Sequence, residues 1–175
     1  AHVVDVAGPV TDGAVMCRKF MEPGSELIAV VACERVPGDE NQSMTGRSLD
    51  LTDKVDWDGG MVFFDLPEGY WRVFIIFHKP CLDGYIDMLR QESVHVLIEA
   101  VYEPHYQRYQ KYFGKTFRGY FSDEPYIMGD AKLPLGNESV MHGSFPWNEN
   151  VRQELAAALP NWKLLLPHLW FPGEY

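Results

Sequence analysis

Apolar positions change their period part-way along the chain. Residues 26–34, ELIAVVACE, form an unbroken apolar run of strand length after Pro23-Gly24. That pattern predicts a strand buried on both faces. Residues 36–47 are polar and rich in turn formers, which predicts a loop or hairpin tip. Residues 48–55, SLDLTDKV, alternate as a half-buried strand or short extended segment does. Gly59-Gly60 turns the chain. Residues 61–66 and 70–78 then read as two strands around a tight Pro67-Glu68-Gly69 turn, a hairpin. Residues from about 10 to 78 are therefore expected to form a small antiparallel β-unit.

Beyond it the period becomes helical. In residues 92–113 the apolar or aromatic positions Val94, Leu97, Ile98, Val101, Tyr102, His105, Tyr109 and Tyr112 recur at spacings of three and four, marking one face of an amphipathic helix. Pro104 lacks a backbone donor and should kink or split that helix. Gly114 is placed to end it. Residues 117–122 read as a short strand, so helix, glycine turn and strand follow in the rhythm of a parallel α/β sheet. Residues 130–144 read as a loop. Residues 148–159, NENVRQELAAAL, predict a helix with Asn148 as N-cap, stopped by Pro160. Residues 162–170 predict a further helical turn on the core. There is no internal repeat.

Composition narrows the function classes. The chain has 175 residues, 46% hydrophobic and 23% charged, which is ordinary globular make-up. A net charge of −10 with scattered Lys and Arg argues against nucleic acid and anionic membranes as partners. Aromatics reach 14%, which serves core packing and sugar stacking alike. Cys17, Cys33 and Cys81 show neither zinc-ligand spacing nor a disulfide framework. Buried free thiols are expected, and they favour a cytoplasmic setting, with a secreted parent protein left open. No apolar run approaches membrane-spanning length, and the N-terminus lacks signal-peptide features. The chain opens without Met on a strand-like run and stops abruptly at LWFPGEY, so a piece of a longer protein is expected.

Chemistry concentrates in Ser122-Asp123-Glu124-Pro125, after an apolar, aromatic strand. Ligands bind beyond the carboxyl ends of strands in parallel α/β folds, so Glu124, with Asp123 beside it, is the leading catalytic candidate. Adjacent strand residues point to opposite sides, so the second carboxylate of an acid/base pair must come from elsewhere. The competing reading is a capping turn with no chemistry. Asp87, in Gly84-Tyr85-Ile86-Asp87, could bond a sugar hydroxyl or cap the following helix. Tyr85, Tyr126 and Trp147 are candidate substrate-binding aromatics, with core packing as the alternative for Tyr85 and loop anchoring for Trp147. His78, His105, His142 and His168 lack ligand-like spacing, so no metal site and no cofactor are expected. The chain lacks GxSxG, GxGxxG and a phosphate loop, which removes esterase and nucleotide-binding readings.

Residues 84–125 carry an Asp turn opening a helix, a YFGKT turn and a strand finishing in FSDEP. Together they resemble a segment of bacterial barrel glycoside hydrolases related to the alpha-L-rhamnosidases. PWNENVRQEL and LLPHLW resemble later segments of that group, and ELIAVVACE, LDLTD and LPEGYWRVFIIF its β-rich insertion. Arg90-Gln91, where those enzymes usually show Asn-Pro, and Pro104 depart from the pattern. The resemblance implies a mixed α/β chain: a β-rich unit over residues 1–80, then βα units of an incomplete (β/α)8 glycosidase barrel over 81–175. The chain is shorter than the ~250 residues of a whole barrel. It further implies a carbohydrate substrate, Glu124 and Asp123 as catalytic carboxylates, and the rest of the parent catalytic domain as partner. Whether calcium assists in the parent is left open, as is self-association through exposed strand edges. The alternative function is a non-catalytic carbohydrate-binding or interaction module.

Overall fold

Four segments rich in Val, Ile and aromatic residues pair into one sheet. A computed structural model describes residues 1–17, 24–54, 60–79, 86–121 and 145–174. The strands are β1 (His2–Met16), β2 (Glu26–Arg35), β3 (Met44–Asp50) and β4 (Met61–His78), in the order β1-β4-β2-β3, every pair antiparallel.

β2 shows why its sequence is apolar without interruption. Val30 and Ala32 face one hydrophobic core, with Val15, Cys17, Leu51, Val62, Phe64, Leu66, Trp71, Val73 and Ile75. Ala29, Val31 and Cys33 face a second core, with Val3, Met44, Phe74, Ile76, Trp162 and Leu166. A strand with both faces covered has no polar side to show, as its sequence predicts.

The expected hairpin at Pro67-Glu68-Gly69 does not form. Residues 61–78 are one strand, and β1 runs alongside both halves, pairing Val15 with Val62 and Val4 with Val73. Between them Gly8 pairs with Gly69 and Val10 with Leu66, so β4 carries one extra residue, a bulge. The bulge flips the parity of the inward positions. Val62, Phe64 and Leu66 before it, and Trp71, Val73 and Ile75 after it, then line the same core. Glycine is required here. A Cβ on Gly8 would lie 2.0 Å from the Pro67 carbonyl oxygen, and Gly69 holds φ +147°. The Trp71 indole N–H donates to that same oxygen at 3.0 Å and fixes the corner.

Other boundaries shift too. The β-unit starts at His2, and β3 begins at Met44, inside the expected loop, because Met44 is held on both sides. It pairs with Arg35, while its N–H donates to Pro172 O at 2.9 Å and its carbonyl accepts from Glu174 N. A short 3-10 turn, Thr52–Lys54, replaces the end of the expected strand.

The helical half departs furthest from expectation. Helix α1 (Gln91–Leu97) runs through a π-helical stretch, Ile98–Tyr102, into α2 (Glu103–Tyr109) and a 3-10 turn, Gln110–Tyr112. The π stretch stands directly before Pro104, where the missing N–H breaks the regular ladder, so the predicted disturbance is present. Gly114, at φ +74°, then turns the chain. The expected strand after it is not formed among the described residues. Gly114 N donates to Phe117 O and Phe117 N to Tyr112 O, so the local turn consumes groups a strand would use. Phe117 stacks back on Phe113, with ring centroids 4.5 Å apart.

The partial (β/α)8 barrel is therefore overturned. Among the described residues the sheet is wholly antiparallel and no βα repeat occurs. Later helices, α3 (Glu149–Ala158) and α4 (Trp162–Leu165), continued by a 3-10 turn at Leu166–Leu169, complete the described elements. Trp162 and Leu166 enter the second core, with Trp147, Leu155, Trp170 and Phe171 packed against it.

One charge is buried in this framework. Arg72, 5% exposed, faces Asp5 in a fork, Nε to Oδ1 at 2.7 Å and Nη2 to Oδ2 at 2.9 Å. Phe171 lies over its guanidinium at 4.2 Å, and Arg35 approaches Asp5 at 3.4 Å. Planar two-point pairing is what lets a guanidinium be tolerated so deep.

Candidate functional site

Of the candidate residues, Asp87 and Trp147 lie in the described regions, and Asp87 is bonded to the residue after Trp147 where the turn before α1 reaches the start of α3. Asp87 sits in a tight turn. Its Oδ1 accepts from Leu89 N at 3.0 Å, and its carbonyl accepts from Arg90 N at 3.1 Å. It does not cap α1, whose N-cap, Arg90, makes no side-chain capping bond. Instead Oδ2 accepts from Asn148 Nδ2 at 2.9 Å, across 61 residues of sequence.

Asn148 works in both directions. Its Oδ1 accepts from Val151 N at 3.0 Å, capping α3 as its sequence context predicts. Its amide N–H₂ holds Asp87. Glu149, next along, is gripped by Arg152 through Nε at 2.6 Å and by Gln153 at 2.9 Å. The Arg152 contact, then Gln153, holds the Glu149 carboxyl well below its ordinary range, at about 2.

Trp147 precedes this cap. It is half-buried and lies against Trp162, centroids 5.6 Å apart, which anchors the corner on the second core. Phe145 is more open, 39% exposed, and meets Trp170 edge to face at 5.3 Å. Beside the corner an open groove of about 450 Å³ runs between Leu89 and the α3 residues Asn150, Val151, Glu154, Leu155 and Ala158.

Chemically the corner offers a carboxylate and a carboxamide side by side, and the indole that precedes Asn148 in sequence lies against Trp162. Each Asp87 oxygen accepts one bond and keeps acceptor capacity. Such a set binds hydroxyl donors and supplies no proton-transfer pair. Among the described residues, no group of three or more His, Cys, Asp and Glu side chains could hold a metal ion. The sequence marks Asp87 and Trp147 by residue type. It marks Asn148 only as a cap, and the residue's second role shows in the pairing alone. Glu124, Asp123, Tyr126 and Tyr85 lie outside the described residues.

Both described thiols are shut away. Burial pushes Cys17 up to about 11 and Cys33 up to about 12, so neither is a nucleophile at neutral pH.

Compared with protein-family models, with curated proteins and with solved structures, the chain matches none.

Proposed function

We propose that the chain serves a glycoside hydrolase, binding sugar at the Asp87–Asn148–Trp147 corner and contributing Glu124 to bond cleavage. What carries the reading is the hydrogen bond from Asn148 to Asp87 beside Trp147. Neighbouring acceptor and donor groups suit the adjacent hydroxyls of a pyranose, and an aromatic edge or face suits its C–H surface. Asp87, singled out on sugar-binding grounds, is joined by that bond to Asn148, the residue after Trp147. The resemblance over residues 84–125 adds the carboxylate chemistry. Glu124 donates a proton to the leaving oxygen or acts as the matching base, with its partner carboxylate on another segment.

Calorimetry of the whole chain against a panel of neutral oligosaccharides tests the corner. Asp87→Ala should weaken binding by about tenfold or more, the scale of a lost charge-assisted hydrogen bond. Glu124→Gln should leave binding intact and abolish aryl-glycoside hydrolysis by the protein that carries this chain. Unchanged turnover in Glu124→Gln would remove the catalytic assignment.

A second reading, a non-catalytic carbohydrate-binding module, is favoured by the way Trp147 roots the corner in the sheet's own core. It predicts glycan binding with no hydrolysis in any context.

A further inference from the structure

The stretch from Pro104 to Phe121 differs in charge from everything around it. It contains no acidic residue, although the chain has 25. It holds Arg108, Lys111, Lys115 and Arg118, together with Tyr106, Tyr109, Tyr112, Phe113, Phe117, Tyr120 and Phe121. The basic residues of the chain are thus less scattered than their overall count suggests. None of these side chains is buried, and Phe121 is 89% exposed.

The rings are ordered all the same. Tyr120 packs edge to face on Tyr102 at 4.6 Å and on Phe117 at 5.2 Å, Phe113 stacks on Phe117, and Tyr106 meets Phe113 at 5.2 Å. The Tyr120 hydroxyl donates to Tyr102 O at 3.3 Å, tying the returning limb to the helix. Cations stand beside tyrosines in the same stretch. The Arg108 guanidinium is 5.5 Å from the Tyr109 ring centre, and the Lys111 ammonium is 4.9 Å from that of Tyr112. The first pair ends α2 and the second lies in the 3-10 turn that follows it, so the two stand in succession along the arm.

We propose that this face binds an acidic polysaccharide built of uronic acid units, carboxylates on Arg108 and Lys111, ring faces on Tyr109 and Tyr112. The inference rests on the carbohydrate reading above and names the substrate class. A uronate presents an anion and an apolar ring face on each unit, and each cation–tyrosine pair presents the complement of both. A neutral glycan offers those cations no anion.

Binding of the whole chain to polygalacturonate, measured by calorimetry at low salt, is compared with binding to the same polymer fully methyl-esterified. The free acid should bind at least about tenfold tighter, and the preference should shrink as salt rises. Arg108→Gln with Lys111→Gln should abolish the preference. Tyr109→Ala with Tyr112→Ala should weaken both polymers. These positions are exposed, so circular dichroism is expected to be unchanged. Equal affinity for acid and ester would overturn the proposal, as would tighter binding to single-stranded DNA, a sulfated glycan or phosphatidylserine vesicles. Neutral oligosaccharide binding that depends on Asp87, without any preference for uronate, would overturn this inference alone. Uronate binding that depends on Arg108 but ignores Asp87→Ala would instead remove the corner from the carbohydrate reading. Binding to no glycan at all would overturn both.

Discussion

The sheet and the helical arm contain comparable apolar sequence and use it in opposite ways. In β2, residues 29–33 are all buried, shared alternately between two cores. In the arm, from Gln91 to Tyr112, no residue is buried, and Val96, Ile98, Val101, Tyr106 and Tyr109 stand 37% to 60% exposed. Periodicity reports which side of an element is apolar. Whether that side is a core or a surface is decided by what reaches it, and among the described residues the sheet is reached from both sides and the arm is not.

Stability measurements should separate the two regions most sharply. Trp71→Ala or Phe74→Ala removes a fully buried ring, and each is expected to cost about 3–5 kcal/mol in denaturant unfolding. Ile98→Ser in the arm should stay within about 0.5 kcal/mol. Equal losses would mean that the arm is packed in solution.

A smaller effect is expected at the buried charge. Asp5→Ala strands the Arg72 guanidinium at 5% exposure, with Arg35 still near, and should cost about 3 kcal/mol. Asp5→Ala combined with Arg72→Met should recover much of that loss in a thermal melt, since an apolar side chain leaves no charge behind.

The smallest effect lies at α3. Glu149 is ionised in the fold down to about pH 2, against an ordinary value of 4.5. Its carboxyl value is depressed, so its support for the helix start is complete above pH 4.5 and is lost as pH falls towards 2. The protection of the Val151 and Arg152 amides, corrected for the intrinsic exchange rate, should fall over that window in the native chain. In Glu149→Gln that fall in protection should vanish.

Much of the sheet could be read in advance. The unbroken run of β2 and the two halves of β4 announce themselves. Their continuity does not, because Pro67-Glu68-Gly69 has the local chemistry of a turn. What makes it a bulge is Gly8, a partner distant in sequence. β1 is hard to read for a related reason: Gly8, Pro9 and Gly13 interrupt its alternation. The helix and its disturbance by Pro104 follow from local rules, whereas the failure of residues 117–121 to extend follows from Phe117 stacking on Phe113. At the candidate site the residue types were legible, but the meeting of Asp87 with Asn148 was not. No spacing rule reaches across 61 residues.

The strand order has a consequence for how the chain is made. β4 is the last of the four described strands to leave the ribosome, yet it lies between β1 and β2. Until residue 78 has emerged, β1 has no neighbour and the β2–β3 pair presents a bare edge. The nascent polypeptide therefore carries two unfinished halves of this sheet until β4 joins them. Over that interval its long apolar segments are open to capture by chaperones or by other growing chains.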